Sequence, residues 1–149
     1  MSVLDFEITT PERVAFKASA KQVTLPTVEG EITVMPGHVP LVAPVKAGEL
    51  RVIGEDGTET LMAVAGGFVT VEPNGRLVVL ADSAERAEEL DLKAIEGAFA
   101  RAEEAMKEVH DDRERFAEYQ AILAHETARL HVVRKHHAKR PGMHPEGAA

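Results

Sequence analysis

Short runs of alternating apolar and polar residues fill the first 82 positions of the chain. Leu4, Phe6 and Ile8 are separated by polar residues, which is the period-two pattern of a half-buried strand. Similar strands are predicted at residues 14–16, 23–28, 32–35, 41–45, 50–53, 60–64, 68–71 and 77–80. Turn pairs such as Asp56-Gly57 and Asn74-Gly75 separate several of them and favour tight hairpins. Many short strands without an intervening helix predict an antiparallel β-sandwich or barrel.

After Asp82 the apolar residues change to alternating steps of three and four. Residues 83–89 are predicted to form a helical turn, and Asp91 is the predicted cap of a first helix. The apolar seam of that helix comprises Leu92, Ile95, Phe99, Ala102, Met106 and Val109. The seam of a second helix comprises Phe116, Tyr119, Leu123, Leu130 and Val133, and Glu126 interrupts it. The two seams predict an antiparallel helical hairpin.

Alanine lies on or beside this hairpin seam at many positions. Alanine favours the helix strongly but buries little apolar area, and burial contributes only roughly 25 cal/mol per Å². Glu126 adds a carboxylate where the seam requires an apolar side chain, and a buried carboxylate costs free energy unless it is paired. The pattern favours helices that persist while their packing is reversible, although alanine also serves ordinary close packing.

These patterns divide the chain into three parts. A strand-rich domain is predicted over residues 1–83 and a helical domain over residues 84–140. Pro141-Gly142 then ends the second helix, because proline cannot continue it. Residues 141–149 are predicted to be a disordered tail.

Charge is distributed unevenly along the chain, whose net charge is −8. Residues 1–90 carry 7 basic against 14 acidic side chains, whereas residues 127–149 carry 5 basic residues against one acidic residue. An acidic chain is a poor candidate for a general nucleic-acid binder. The basic segment, with Arg129, Arg134 and Lys135, can reach toward an acidic partner or can serve as a solvated helix end whose cations suit its dipole.

Composition and reactive residues narrow the function further. The chain has no cysteine, which excludes disulfides and thiolate chemistry and fits a reducing compartment. No apolar run approaches the 18 residues of a membrane span, and no signal peptide is recognisable at the N-terminus. Neither a catalytic constellation nor a metal-ligand spacing is found, even among the five histidines of the last 25 residues. We therefore expect a protein that acts by contact and needs no metal or cofactor.

Three stretches carry a resemblance to a known family. Residues 29–41 hold an acidic-glycine strand followed by a Pro-Gly-His-x-Pro-Leu turn, and residues 44–51 hold a Lys-x-Gly-x-x-Arg strand start. Residues 66–69 and 79–86 hold a Gly-Gly strand and a Leu-Ala-Asp-x-Ala junction. In this order and at these spacings, the chain resembles the epsilon subunits of bacterial F-type ATP synthases across residues 3–140.

The resemblance implies a fold and a set of partners. It implies a ten-stranded β-sandwich that binds the gamma stalk and the c-ring, with Glu31 and His38 at the rotor interface. It also implies two helices that either fold on the sandwich or extend into the alpha/beta hexamer and block ATP hydrolysis. The subunit would be non-catalytic and would couple proton-driven rotation to ATP synthesis. It would be peripheral, on the cytoplasmic face of the bacterial plasma membrane, with membrane association only through the complex.

An alternative function within the same family is ATP sensing. Some epsilon subunits bind ATP through a Leu/Ile-Asp-x-x-Arg-Ala motif at the first helix, and this chain supplies Glu85, Asp91 and Arg101 at matching spacings. Ala94 replaces the arginine of that motif, and Lys93 lies on a different face of the helix. Loss of the guanidinium fork weakens phosphate recognition. The sequence therefore leaves ATP open as a weak regulatory ligand.

Overall fold

The computed structural model describes residues 2–109 and 111–139, and it places strands in the first half and helices in the second. The strands are β1 (Leu4–Thr9), β2 (Val14–Thr27), β3 (Gly30–Val34), β4 (Leu41–Pro44), β5 (Gly48–Gly54), β6 (Glu59–Ala65), β7 (Phe68–Val71), β8 (Leu77–Leu80) and β9 (Ser83–Arg86). The helices are α1 (Leu92–Glu108) and α2 (Arg113–Lys139), preceded by a short 3-10 helix at Ala87–Glu89. The predicted tail at residues 141–149 and His110 lie outside the described residues.

The nine strands form one continuous sheet that folds into a sandwich. Their order is β4-β7-β8-β1-β2-β5-β6-β9, and β3 pairs with β2. All the pairs are antiparallel except β1 with β8. Val69 of β7 and Val64 of β6, from opposite halves of this order, belong to one buried core with Phe6. The predicted sandwich followed by a helical hairpin is confirmed.

The strand β2 joins the two layers of the sandwich. Its first part pairs with β1 and its second part with β3 and β5. The separate strands predicted at residues 14–16 and 23–28 are therefore one strand of 14 residues. The intervening residues are too polar to show an apolar run, yet they pair continuously with neighbouring strands.

Glycines close the predicted hairpins. Gly57 and Gly75 have φ angles of +86° and +90°, which the two tight turns require. Gly67 has a different role, since a Cβ atom there would lie 1.8 Å from the carbonyl oxygen of Leu80. Two backbone segments therefore approach each other closely at Gly67.

The helical turn predicted over residues 83–89 is wrong for its first four residues. Ser83–Arg86 forms β9, which pairs with β6 at the sheet edge, and only Ala87–Glu89 is helical. The local sequence has no strand pattern, so pairing with β6 decides its conformation. The sheet thus extends three residues beyond the domain boundary placed at residue 83.

A second apolar core attaches the hairpin to the sandwich. Strand β6 is buried on both faces: Met62 and Val64 face the sandwich core, while Leu61 and Ala63 face the hairpin. Leu61 and Ala63 pack in one cluster with Ala87, Leu90, Ile95, Val132 and Val133. The predicted cap is confirmed, since Asp91 Oδ1 accepts hydrogen bonds from the backbone N–H groups of Lys93 and Ala94. Neither helix among the described residues is apolar over a length sufficient to cross a bilayer.

Candidate functional sites

The turn after β3 carries His38, one of the two predicted rotor residues. Pro36 and Gly37, the latter with φ +88°, form a tight turn closed by a hydrogen bond from His38 N–H to the Met35 carbonyl at 3.1 Å. His38 Nδ1 lies 2.7 Å from the carbonyl oxygen of its neighbour Val39. Glu31 is exposed on β3, and no hydrogen bond joins the two side chains among the described residues. Glu31 lies at the start of β3 and His38 follows the end of β3, so the structure places the two toward opposite ends of this strand.

An exposed apolar face lies on the neighbouring strands β4, β7 and β8. Val42, Phe68 and Leu80 are 68%, 55% and 58% exposed. Phe68 lies opposite Leu80 across the β7–β8 pair, and Val42 lies opposite Thr70, two residues from Phe68, across the β4–β7 pair. Residues opposite each other, or two apart on a strand, share a face. Sequence reasoning missed this face, although outward apolar residues in alternating strands are its signal.

The basic segment of α2 lies against acidic residues of the sandwich. Lys135 Nζ donates to both carboxylate oxygens of Glu49 on β5, at 2.8 and 3.1 Å, and His131 Nε2 lies 3.3 Å from the same carboxylate. Burial of Glu49 would raise the pKa of its carboxyl. The hydrogen bonds and charges of Lys135 and His131 outweigh burial and hold that pKa below the usual value. The Glu49 carboxylate is therefore stabilised in its charged form by the docked helix.

Arg129 of α2 binds two carboxylates, Glu126 of its own helix and Glu85 of β9. Its Nη1 donates to both oxygens of Glu126, at 2.9 and 3.2 Å, and its Nη2 donates to Glu85 Oε2 at 3.1 Å. Arg129 Nε lies 2.9 Å from Glu85 Oε1 without the geometry of a hydrogen bond. Glu126 is only 7% exposed, so the carboxylate that interrupts the seam is buried and paired. Its pairing with Arg129 reduces the free-energy cost that an unpaired buried carboxylate would have.

The third predicted cation, Arg134, makes a weaker contact. Its Nη2 lies 3.2 Å from Glu96 Oε2 on α1, and the side chains are 61% and 49% exposed. A contact of this kind is largely screened by water. All three predicted cations of α2 are thus engaged by acidic residues of the same chain. Sequence reasoning did not identify Glu85, Glu96 and Glu49 as partners, since each lies at least 38 residues away along the chain.

A Ser–His–Glu group beside Arg129 does not have the geometry of a hydrolase triad. Ser83 Oγ lies 3.0 Å from His125 Nε2, and Glu85 Oε1 lies 3.8 Å from that same nitrogen. In a triad the carboxylate orients the opposite nitrogen of the ring, so that Nε2 can accept the hydroxyl proton. In residues 2–109 and 111–139, no three histidine or carboxylate side chains are grouped as metal ligands. The arrangement serves contact between α2 and β9.

The three predicted ATP-binding residues occupy different environments. Glu85 lines a cleft of about 310 Å³ between β9, α2 and the β1–β2 turn, and its carboxylate is bound by Arg129. Asp91 caps α1, and Arg101 is exposed on α1. Neither Asp91 nor Arg101 lines the cleft at Glu85. The docked hairpin does not bring the three together around one pocket.

Comparison with known proteins assigns the family. The family model "ATP synthase, Delta/Epsilon chain, beta-sandwich domain" matches residues 3–87. An ATP synthase epsilon chain of Dehalococcoides mccartyi is 41% identical over 136 residues, which is 91% of this chain and 95% of the relative. That of Dichelobacter nodosus is 36% identical over 134 residues, which is 87% and 93%.

Solved structures give the same fold. A chain in the cryo-EM structure of the Euglena gracilis mitochondrial ATP synthase, comprising OSCP, F1 and the c-ring, matches with a TM-score of 0.74 and 22% identity. The match covers 86% of this chain and 79% of that chain. The sequence relatives span nearly the whole chain, so they extend the assignment beyond the sandwich to the hairpin. The chain belongs to the ATP synthase epsilon-chain family.

Proposed function

We propose that this chain is a non-catalytic rotor subunit of an F-type ATP synthase. In this function the sandwich couples rotation of the c-ring to the gamma stalk, and the hairpin inhibits ATP hydrolysis when it leaves the sandwich for the alpha/beta hexamer. The protein would sit peripherally at the cytoplasmic face of the bacterial plasma membrane, held there by the complex. The proton would be the coupling ion.

The sandwich supports coupling because it offers two separate contact surfaces. The apolar face of Val42, Phe68 and Leu80 fits a large protein partner, since contiguous exposed apolar residues mark interaction sites. We assign this face to the gamma stalk. Glu31 at the start of β3 and His38 in the turn after β3 are then left for the polar loops of the c-ring.

The hairpin supports regulation because its contact with the sandwich is separable. The observation that carries this proposal is the composition of that contact: one small apolar core bordered by ion pairs from Arg129 and Lys135. Charge complementarity selects the partner of a cationic surface. An acidic surface of a catalytic beta subunit is the partner that these cations fit.

Reconstitution tests both parts of the function. An F1 complex assembled with the chain ended after Glu89 should retain this subunit on gamma and should hydrolyse ATP faster than the complex with the whole chain. Replacing Phe68 and Leu80 with serine should instead abolish co-purification with gamma. If the shortened chain gives no increase in hydrolysis, the hairpin is not inhibitory. If the serine variant still binds gamma, the apolar face is wrongly assigned.

ATP sensing remains the alternative function. A nucleotide at Glu85 would have to displace Arg129 from its carboxylate, and Asp91 already binds two backbone N–H groups. Ala94 supplies no guanidinium for the phosphates. We therefore favour a hairpin held by its own ion pairs. Calorimetry with MgATP on the whole chain distinguishes the two, since saturable heat with a 1:1 stoichiometry would support ATP sensing.

A further inference from the structure

Three carboxylates of the sandwich hold cations of α2: Glu59 binds Lys139, whose side chain is 49% exposed, and two other pairs are better shielded from water. Glu49 on β5 contacts Lys135 at 2.8 Å, and Glu85 on β9 contacts Arg129 at 3.1 Å. The side chains of Glu49 and Glu85 are 12% and 29% exposed, and those of Lys135 and Arg129 are 29% and 21% exposed. Because water screens these pairs less than fully exposed ones, each pair contributes to docking of the helix.

We propose that Glu49 and Glu85 form a built-in competitor for the acidic surface of the hexamer, binding the same cations that the hexamer would bind. This inference rests on the proposed inhibitory function and adds the residues that regulate it. The docked and inhibitory states then differ in which acidic surface neutralises Lys135 and Arg129. The strength of inhibition depends on acids of the sandwich as well as on cations of the hairpin.

The positions of Glu49 and Glu85 make binding of α2 to the sandwich and binding of α2 to the hexamer mutually exclusive. Glu49 and Glu85 belong to the sheet, so α2 must give up both contacts when it leaves the sandwich. Glu126 lies on α2 itself, so Arg129 keeps that partner in either state. A ligand shifts a two-state equilibrium only by its differential affinity for the two states. Glu49 and Glu85 favour the docked state alone, whereas Glu126 does not discriminate.

His131 and His125 extend the two contacts. His131 Nε2 lies 3.3 Å from Glu49, and His125 Nε2 lies 3.8 Å from Glu85. Arg51, two residues further along the same face of β5, also approaches Glu49 at 4.0 Å. The positive groups around Glu49 therefore come from both the sheet and α2. Removing α2 leaves Glu49 with Arg51, which lowers the cost of undocking without cancelling it.

The test uses a matched pair of double variants. Glu49→Gln with Glu85→Gln removes the two competitor charges, and Glu55→Gln with Glu88→Gln removes two exposed charges that follow the same strands. Because the chain has no cysteine, spin labels at Lys21→Cys and Gln120→Cys report the separation of sandwich and hairpin. A third variant ends after Glu89 and shows whether the hairpin inhibits at all.

We expect the competitor variant to populate a longer label separation in the isolated chain. It should also halve the hydrolysis rate of F1 at about a tenfold lower concentration than the wild type, since tenfold corresponds to the loss of about 1.4 kcal/mol of docking free energy. The control variant should stay within about twofold. An unchanged label separation, or equal effects in both double variants, overturns the proposal that Glu49 and Glu85 compete with the hexamer. If the shortened chain fails to activate hydrolysis, the proposed function itself fails, and the separation then shows whether the two acids still hold the hairpin.

Discussion

Arg129 and Arg134 show how burial separates two arginines on the same helix. Arg129 has a side chain that is 21% exposed and contacts Glu126, which is 7% exposed. Arg134 is 61% exposed and contacts Glu96, which is 49% exposed. Sequence alone treats them as equal members of a basic segment. Only the packing of α2 on β9 distinguishes them.

Arg129→Ala should therefore lower the free energy of unfolding much more than Arg134→Ala. Without Arg129, Glu126 remains buried and uncompensated, which costs about 3 kcal/mol. Arg134→Ala removes a screened surface pair and should cost less than about 1 kcal/mol. Urea unfolding of the two variants and the wild type measures both values. Equal losses would contradict the account of Glu126 as a buried, paired carboxylate.

Glu49 makes docking of the hairpin depend on pH. Its pKa is lowered from 4.5 in the docked chain, so its contribution is fully present above pH 4.5 and is lost as the pH falls through the lowered value. We expect the label separation of the wild type to lengthen below pH 4.5. Glu89 and Asp56 also have lowered pKa values. The contribution of Glu49 is therefore measured as the difference in acid-induced lengthening between the wild type and the Glu49→Gln variant. The same acid-induced change in both chains would argue against Glu49.

The residue scale also shows what the sequence could predict. The cap at Asp91 and the positive φ at Gly57 and Gly75 follow from neighbouring residues, and both were predictable. The contact between Glu49 and Lys135 spans 86 positions and has no local pattern. Glu85 was assigned to ATP from the family motif, whereas the docked hairpin pairs it with Arg129.

The elements show the same division between local and distant causes. Strands with a clear local signal, such as the alternation of β1 and the apolar run of β8, were predicted close to their observed bounds. Strand β9 was missed because four mostly polar residues form a strand only by pairing with β6. The run Leu61-Met62-Ala63-Val64 carried an unused signal, since a strand that is apolar on both faces must be covered on both. The hairpin provides that second cover.

The position at which the chain is truncated decides whether the sandwich keeps strand β9. A chain that ends after Glu89 keeps every strand of the sandwich, whereas one that ends after Ser83 loses most of β9 and leaves the edge of β6 unpaired. We expect the longer fragment to keep β-type circular dichroism and cooperative unfolding. The shorter fragment should unfold at a lower temperature and aggregate more readily. Identical melting curves would mean that β9 adds nothing to the sandwich.

The whole molecule is a sandwich with two cores that share β6. The alanine-rich seam between α1 and α2 led us to expect a loosely held hairpin. The hairpin is instead anchored to the sheet by Val132 and Val133, and Ile95 and Ala102 are the buried residues of α1. Attachment therefore depends on the contact between hairpin and sheet more than on the seam.

A reversible cross-link across the docking contact tests the central claim most directly. Lys139 lies 2.5 Å from Glu59 on β6, outside the ion pairs of Arg129 and Lys135. Glu59→Cys with Lys139→Cys, joined by a bismaleimide that a reductant can cleave, should lock the hairpin on the sandwich. The account predicts that the locked complex hydrolyses ATP as fast as one whose chain ends after Glu89, and that cleavage restores inhibition. Inhibition that persists in the locked complex, with each single-cysteine variant unaffected by the reagent, would contradict a hairpin that must leave the sandwich to act.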